Sequence, residues 1–200
     1  MKKKSNNNFL FNFIAPIYGL FYKSQKKNYK ITIDKLKNEL NISDFKSIID
    51  IGCGTGALCS VLNKEGLTVT GIDPAYKMLK IGMNKKENSS VNFIECDTCS
   101  KLPFENKSFD LSIASYVAHG LQSNERIQMY SEMSRITRNY VIIHDYNKIK
   151  GFFSSIIEWL EGGDYFNFIK VAQAELEEHF KTVKVINVKK KAAWYICEPY

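Results

Sequence analysis

Three glycines stand at alternate positions directly after an apolar, β-branched run. The run ends at Ile51, and Gly52, Gly54 and Gly56 follow it before a segment of helical character begins. Glycine adopts backbone angles closed to other residues and leaves room for a ligand against the main chain. The spacing predicts a strand–loop–helix turn that binds a nucleotide-like cofactor. A tight turn without a ligand is the structural alternative, and the spacing also satisfies the dinucleotide fingerprint.

Two acidic residues flank this loop in chemically informative positions. Asp50 lies inside the apolar run, where an unpaired carboxylate is costly, so a cationic ligand or the amides of the loop must supply its partner. Asp73 ends the next apolar run, 21 positions after Gly52, where a carboxylate can accept hydrogen bonds from both hydroxyls of a ribose. Asp73 can also cap the helix that opens at Pro74.

The elements that position these residues lie between residues 46 and 145. Short β-branched runs alternate there with helix-like segments, which is typical of a parallel sheet covered on both faces. Near the C-terminal end, Thr182–Val188 and Ala192–Cys197 are separated by three residues and predict an antiparallel hairpin. The predicted fold is α/β, a Rossmann-like doubly wound sheet of five parallel strands plus this hairpin, with helices on both faces. The predicted strands are Ser47–Ile51, Thr68–Ile72, Val91–Cys96, Phe109–Ser115 and Tyr140–His144, and the predicted helices are Thr55–Lys64, Pro74–Gly82 and Asn124–Thr137.

Length and composition are those of one globular domain. The chain has 200 residues, of which 44% are hydrophobic and 24% charged, and no apolar run reaches the length of a membrane span. We expect a single domain over 1–200. It divides into an N-terminal helical lid (1–45), a cofactor-binding core (46–145), a helical insertion (151–180) and the hairpin (182–197).

Charge and cysteine usage restrict the partners and the compartment. The net charge is +7, with 25 Lys to 3 Arg, and residues 1–50 hold 10 Lys and 4 acids. Nucleic-acid sites favour arginine, so nucleic acid is not the expected partner. The five cysteines form an irregular, odd set, which predicts free thiols and a cytoplasmic protein. Cys96 and Cys99 lack a second pair at zinc spacing, so no metal is expected.

The stretch from Ile48 to Ser115 resembles class I S-adenosylmethionine-dependent methyltransferases. It is most similar to the small-molecule branch that includes the ubiquinone and menaquinone biosynthesis methyltransferases. Ile14–Tyr18 also resembles that branch, although Gly19 stands where an Asp is common. The other stretches that carry the resemblance are Asp50–Gly56, Gly71–Asp73, Met78–Leu79, Asp97, Leu102–Phe104 and Ser108–Asp110.

The resemblance implies S-adenosyl-L-methionine as cofactor and S-adenosyl-L-homocysteine as product. It implies methyl transfer to a small-molecule acceptor by in-line displacement. Asp50 would support the ammonium end of the cofactor, Asp73 the ribose and Asp97 the adenine amino group. The whole cofactor set implied is Asp50, Gly52, Cys53, Gly54, Gly56, Asp73, Pro74, Met78, Asp97, Thr98 and Ser115.

His119 follows the fourth predicted strand, where an acceptor should approach the methyl group. An imidazole there can take a proton from a phenol, an enol or an amine, or it can simply shape the pocket. His144 and Asp145 are secondary candidates. The expected acceptor-binding residues are Tyr18, Tyr116, His119, Trp159 and Tyr165.

Two other functions compete with small-molecule methyl transfer. The Lys-rich N-terminal segment is compatible with an RNA-directed methyltransferase or a non-catalytic cofactor-binding module. The glycine pattern is shared by nicotinamide-dependent oxidoreductases, although Asp50 and the stretch from Leu102 to Asp110 favour the sulfonium cofactor. The absence of an Asn-Pro-Pro-aromatic motif after the fourth strand disfavours adenine and glutamine as targets.

Overall fold

A computed structural model describes residues 2–147, 164–189 and 192–200. These residues contain five α-helices and seven strands, and the strands form a mostly parallel sheet with one antiparallel hairpin. The predicted α/β fold is confirmed. The chain divides into two compact units, Met1–Thr98 and Cys99–Tyr200.

The first unit contains three parallel strands in the order β3-β2-β1. They are β1 (Ser47–Ile51), β2 (Thr68–Asp73) and β3 (Asn92–Glu95). The register places Asp50 beside Gly71 and Asp73 beside Glu95. Because all three strands run the same way, the glycine loop after β1 and the acidic end of β2 lie at one edge of this unit, which is the ligand edge of open α/β sheets.

Three helices complete the first unit. They are α1 (Lys2–Leu36), α2 (Ala57–Lys64) and α3 (Tyr76–Met83), and α1 packs against both α2 and α3. The Asn12 side chain on α1 accepts a hydrogen bond of 2.9 Å from the backbone N–H of Lys77. That N–H lies in the first turn of α3 and has no partner within its own helix. The segment expected to be helical is thus one continuous helix as far as Leu36, and its role as a lid stays a prediction.

The second unit contains four strands in the order β4-β5-β7-β6. The strands β4 (Phe109–Ser115) and β5 (Thr137–Tyr146) are parallel, while β6 (Thr182–Lys189) and β7 (Ala192–Glu198) form the predicted hairpin. It is β7, the second strand of the hairpin, that pairs with β5. The side chains of β7 from residue 192 to residue 197 are buried, which is expected for a strand paired on both sides.

Two helices of the second unit are tied together by a buried arginine. Arg126 on α4 (Ser123–Ile136) is fully buried and donates two hydrogen bonds of 2.7 Å to Glu175 on α5 (Tyr165–His179). It also contacts Asp164 at 3.2 Å and the carbonyl of Leu121 at 2.8 Å. A buried guanidinium is tolerated only when its donors are satisfied in this way.

Candidate functional site

The glycine loop curves away from β1 with three left-handed residues. Gly52, Gly54 and Gly56 have φ angles of +71°, +54° and +72°. A Cβ added to Gly56 would lie 2.6 Å from the ring of Phe93, so Gly56 is required by packing as well as by backbone angle. A Cβ added to Gly54 would meet nothing within 4 Å. Gly54 therefore borders open space against the main chain, where a ligand can lie.

Asp73 ties this loop to the start of α3. Its carboxylate accepts 2.8 Å hydrogen bonds from the backbone N–H groups of Gly54 and Ala75. Burial raises the pKa of Asp73 to about 6, against the opposing effect of these two bonds. A carboxylate has about four acceptor positions, so capacity remains for a ligand hydroxyl beside the open space at Gly54. The bond from Ala75 lies just before the first residue of α3, so Asp73 forms a turn there and does not cap the helix, and its ribose-binding role stays a prediction.

Asp50 is almost completely buried and has an unexpected partner. The Cys59 thiol on α2 donates to its carboxylate at 3.2 Å, whereas the sequence suggested a ligand cation or the loop amides. No lysine, arginine or histidine among the described residues lies within ion-pair distance of it. Burial, with a smaller effect from Asp73, raises the pKa of Asp50 to about 7. The unit thus holds a buried acid whose ionised form lacks a positive counter-charge.

Two further residues predicted from the sequence, Met78 of the cofactor set and Tyr18 of the acceptor set, lie in one apolar cluster. Met78 is buried with Ala15 and Ala75, and Tyr18 is among the partly buried side chains that pack against this group. Tyr18, expected near an acceptor, therefore lies with Met78, expected at the adenine. The other members of the cofactor set in this unit are the half-buried Pro74, the exposed Asp97 and the buried Cys53 and Thr98.

His119 in the second unit is held by a buried carboxylate. It lies in a short turn after β4, and its Nδ1 is 2.9 Å from Oδ1 of Asp145, near the end of β5. Its backbone N–H donates to the other oxygen at 3.3 Å, and the N–H of Tyr146 donates to Oδ1 at 2.8 Å. When Nδ1 carries the proton shared with the carboxylate, Nε2 is the proton-accepting nitrogen. The sequence named Asp145 only as a secondary candidate.

Tyrosine rings surround this histidine. Tyr146 lies with its ring centre 4.8 Å from that of His119, 5.0 Å from Tyr165 and 5.2 Å from Tyr116. The hydroxyl of Tyr165 is buried and has no hydrogen-bond partner within the described ranges. Burial, and then the charge of Asp145, raise the pKa of Tyr116 to about 12. Tyr146 was not singled out from the sequence, because nothing in its local pattern separates it from a core aromatic.

Tyr116 has a backbone conformation that is rare for a bulky side chain. Its φ is +57°, directly after β4. Such a residue costs about 1–3 kcal/mol and persists only where its surroundings demand it, commonly at functional sites. The strained turn brings the Tyr116 ring to 4.7 Å from His144 and 6.5 Å from His119.

Two sequence-based candidates of the second unit, Ser115 and His144, contact each other. Ser115, expected at the cofactor, has its Oγ 2.8 Å from Nδ1 of His144. His144 in turn stacks on Trp194 with ring centres 4.3 Å apart, so it packs as a core residue. Trp159 lies outside the described residues. Within the described ranges, no group of three His, Cys, Asp or Glu side chains could hold a metal ion.

Comparison with known proteins defines the class. A family model described as "Methyltransferase domain" matches residues 49–143. An uncharacterized methyltransferase of Staphylococcus carnosus is 22% identical over 86% of this chain and 84% of its own length. The demethylmenaquinone methyltransferase of Tropheryma whipplei is 37% identical over 36% of this chain and 29% of its own length. A proposed S-adenosyl-L-methionine-dependent methyltransferase of Methanococcus maripaludis has the same fold, with a TM-score of 0.70, 18% identity, and coverage of 94% of this chain and 93% of that one.

The family match, the relatives and the shared fold agree with the glycine loop and its acidic neighbours. The family model covers residues 49–143, and together with the relatives and the shared fold it supports a class I S-adenosylmethionine-dependent methyltransferase. Several curated relatives are longer proteins, of whose length this chain spans 40% or less.

The residues of the first unit fit the cofactor of this class. S-adenosylmethionine carries an ammonium group, a ribose and an adenine, and each needs a different environment. The buried Asp50 lacks a cationic partner among the described residues, and Asp73 has acceptor capacity beside the open space at Gly54. These are the features that an ammonium group and a ribose would satisfy.

Proposed function

We propose that this protein transfers the methyl group of S-adenosylmethionine to an ionisable hydroxyl, phenolic or enolic, on a small molecule. The observation that carries the proposal is the buried His119–Asp145 pair with its wall of tyrosines. A phenol or enol becomes a strong nucleophile when its proton leaves. A planar acceptor also suits tyrosine rings, which favour edge-to-face and offset contacts with aromatic partners.

The first unit would hold the cofactor, which supplies an electrophilic methyl group on sulfur. We assign the ammonium end to Asp50, the ribose to Asp73 and the adenine amino group to Asp97. The loop of Gly52, Cys53, Gly54 and Gly56 would lie against the methionyl and ribosyl parts, and Met78 and Thr98 would contact the adenine ring. Pro74 and Ser115 complete the proposed set.

In the second unit, Nε2 of His119 would take the acceptor's proton as the methyl transfers. Asp145 fixes the imidazole through Nδ1 and stabilises the positive charge that forms on it. The Tyr165 hydroxyl would find in the acceptor the hydrogen-bond partner that the described residues do not give it. General-base catalysis of this kind contributes about 10²- to 10⁴-fold in rate.

A fractionation experiment tests the acceptor class. The protein is incubated with S-adenosylmethionine labelled in the methyl group and with three separate cell fractions: small-molecule ultrafiltrate, total RNA and total protein. We expect label in the ultrafiltrate, recoverable as a methyl ether. Label confined to RNA or protein would refute the small-molecule proposal, and label on nitrogen would refute the hydroxyl assignment.

His119→Asn and Asp145→Asn test the base. Both variants should bind S-adenosylhomocysteine as wild type does, and His119→Asn should lose about 10²- to 10⁴-fold in rate. At saturating S-adenosylmethionine the wild-type rate should fall at acid pH, and His119→Asn should lack that fall. His179→Asn, on α5, is the matched histidine control. An unchanged pH profile in His119→Asn would exclude His119 as the base.

A further inference from the structure

The outer face of α1 is a stripe of large apolar side chains. Phe9, Phe13, Ile17, Leu20 and Phe21 are 74%, 72%, 55%, 81% and 57% exposed. At about 3.6 residues per turn they fall within one third of the helix circumference, along about 18 Å of its length. Together these three phenylalanines and two aliphatic residues expose on the order of 600 Å² of apolar surface. That area is at the upper end of the range for the largest apolar patch on a monomeric protein.

The inner face of α1 is formed by a different set of residues, which are buried. Ala15 and Tyr22 are buried there, as are Ile33 and Leu36, and this face packs against α2 and α3. Between residues 9 and 22 the helix is therefore apolar on both sides. A helix that is apolar all round normally has a partner on every side. The outer stripe is the side that, in the described part of the chain, contacts solvent.

The charged residues in the sequence around the stripe are all lysines. Residues 1–33 contain seven lysines and no aspartate or glutamate. Lys26 and Lys30 pair with acids, Glu87 for the first and Asp34 and Glu65 for the second. Lys23 and Lys27 are exposed and have no ion pair with any described residue. They follow the stripe on the same side of the helix, within two turns of Leu20.

We propose that this outer face of α1 binds the surface of an anionic phospholipid bilayer, with the helix lying in the plane of the membrane. Phenylalanine and leucine side chains would enter the boundary between headgroups and acyl chains, and the lysines would contact anionic headgroups. None of the described helices is long and apolar enough to cross a bilayer, so the contact is with its surface.

The charge argues against a second copy of this chain as the occupant. Two such faces in contact would bring together lysines without acidic partners in either segment, and like charges that face each other across an interface disfavour association. A bilayer with anionic lipid supplies the missing negative charge. The inference does not depend on the methyl acceptor, because its readout is binding to lipid.

Vesicle co-sedimentation of the full chain tests the proposal. Vesicles of phosphatidylcholine alone are compared with vesicles that also contain phosphatidylglycerol, at low and at high salt. We expect binding to the anionic vesicles that weakens with salt and is much weaker on neutral ones. Lys23→Glu/Lys27→Glu should lower the partition coefficient at least tenfold, because it replaces two lysines that would contact anionic headgroups by acids that these headgroups repel. Phe13→Ser/Leu20→Ser should also lower it at least tenfold, because it removes two apolar side chains from the stripe.

Matched controls replace exposed residues of the same types elsewhere. Ile127→Ser on α4 removes a 40% exposed aliphatic side chain, and Lys101→Glu/Lys170→Glu makes the same charge change in the second unit. Both should bind vesicles as wild type does. Because every altered side chain is exposed, the variants should keep the wild-type melting temperature, and the lysine pair tests the proposal even if the apolar pair fails to fold.

Three outcomes would overturn the proposal. The first is absence of binding to anionic vesicles by the wild type. The second is equal loss of binding in the variants and in their controls. The third is a stable dimer in analytical ultracentrifugation that Phe13→Ser/Leu20→Ser dissociates, which would assign the stripe to a second copy of the chain.

Discussion

Replacing Asp50 by asparagine removes a buried ionisable group and almost no volume. An unfolded chain has the ordinary aspartate pKa of 3.8 at this position, while burial raises the pKa in the folded protein to about 7. Between about pH 4 and about pH 7 the folded protein therefore holds a proton that the unfolded chain has released. The free energy of unfolding contributed by this group falls as pH rises through that window and is constant above it.

The size of the effect follows from the same two pKa values. One pKa unit is worth about 1.4 kcal/mol, so a difference of about three units gives at most about 4 kcal/mol. Above about pH 7 the Asp50→Asn protein should be more stable than wild type by up to that amount, and near pH 4 the two should be equally stable. The asparagine oxygen can still accept from the Cys59 thiol, so the substitution isolates the charge.

Urea denaturation without ligand, repeated across this pH range, measures the difference. Asp73 also has a raised pKa, of about 6, and changes stability in the same direction, but it is present in both proteins, so the difference between the curves reports Asp50 together with its small interaction with Asp73. Asp44→Asn, at an exposed aspartate, is the control and should follow wild type at every pH. Parallel curves for wild type and Asp50→Asn would refute the assignment of a raised pKa to Asp50.

The same carboxyl links cofactor binding to pH. An ammonium group beside Asp50 favours the ionised form, so binding of S-adenosylhomocysteine should release protons below about pH 7. Its affinity should rise with pH in wild type and be weaker and flatter in Asp50→Asn. Calorimetry in buffers of different ionisation enthalpy counts the protons. Proton release of equal size in both proteins would show that Asp50 does not contact the ammonium group.

The remaining predictions use matched pairs. Gly54→Ala and Gly66→Ala both place a Cβ in open space at positive φ, so each should destabilise the fold by about 1 kcal/mol, while only Gly54→Ala should weaken S-adenosylhomocysteine binding in calorimetry. Arg126→Met removes the fully buried partner of two partly buried acids, Asp164 and Glu175, and should lower the free energy of unfolding by about 3 kcal/mol in urea denaturation, against about 0–1 kcal/mol for Arg138→Met at an exposed arginine. The side chain at position 145 lies against three N–H donors, so Asp145→Asn should lower the free energy of unfolding by about 2–4 kcal/mol. Urea denaturation without ligand measures this loss. Equal values within the glycine pair for affinity, or within the arginine pair for stability, would contradict the reasoning.

Much of the fold follows from the sequence because its strands are short, apolar and bounded by turns. The prediction for the first strand is identical to β1, and the hairpin is found where its spacing placed it. The fifth strand begins at Thr137, three residues earlier than predicted. Arg138 and Asn139 are exposed and polar, so they carry no apolar signal, although the backbone there already continues from α4 into β5.

The candidate site was less accessible from the sequence, because its contacts depend on how distant elements pack. Because their spacing along the chain is typical of a nucleotide-binding loop and its acidic partner, the loop glycines and Asp73 were predicted. The partner of Asp50 was not, since Cys59 reaches it only through the rotation of α2 against β1. Tyr146 meets His119 across 27 positions of chain, and no local pattern indicates that contact.

Two buried carboxylates illustrate why partners matter more than burial in assigning a role. Asp145 receives N–H groups from the backbone of His119, the ring of His119 and the backbone of Tyr146, so the protein itself compensates its charge and fixes the imidazole. Asp50 is equally buried but receives only a thiol, a weak donor, within the described residues. A compensated carboxylate suits an orienting role that persists without ligand. An uncompensated one is costly to the free protein and becomes favourable only when a cation arrives, which is the behaviour expected of a residue that binds one.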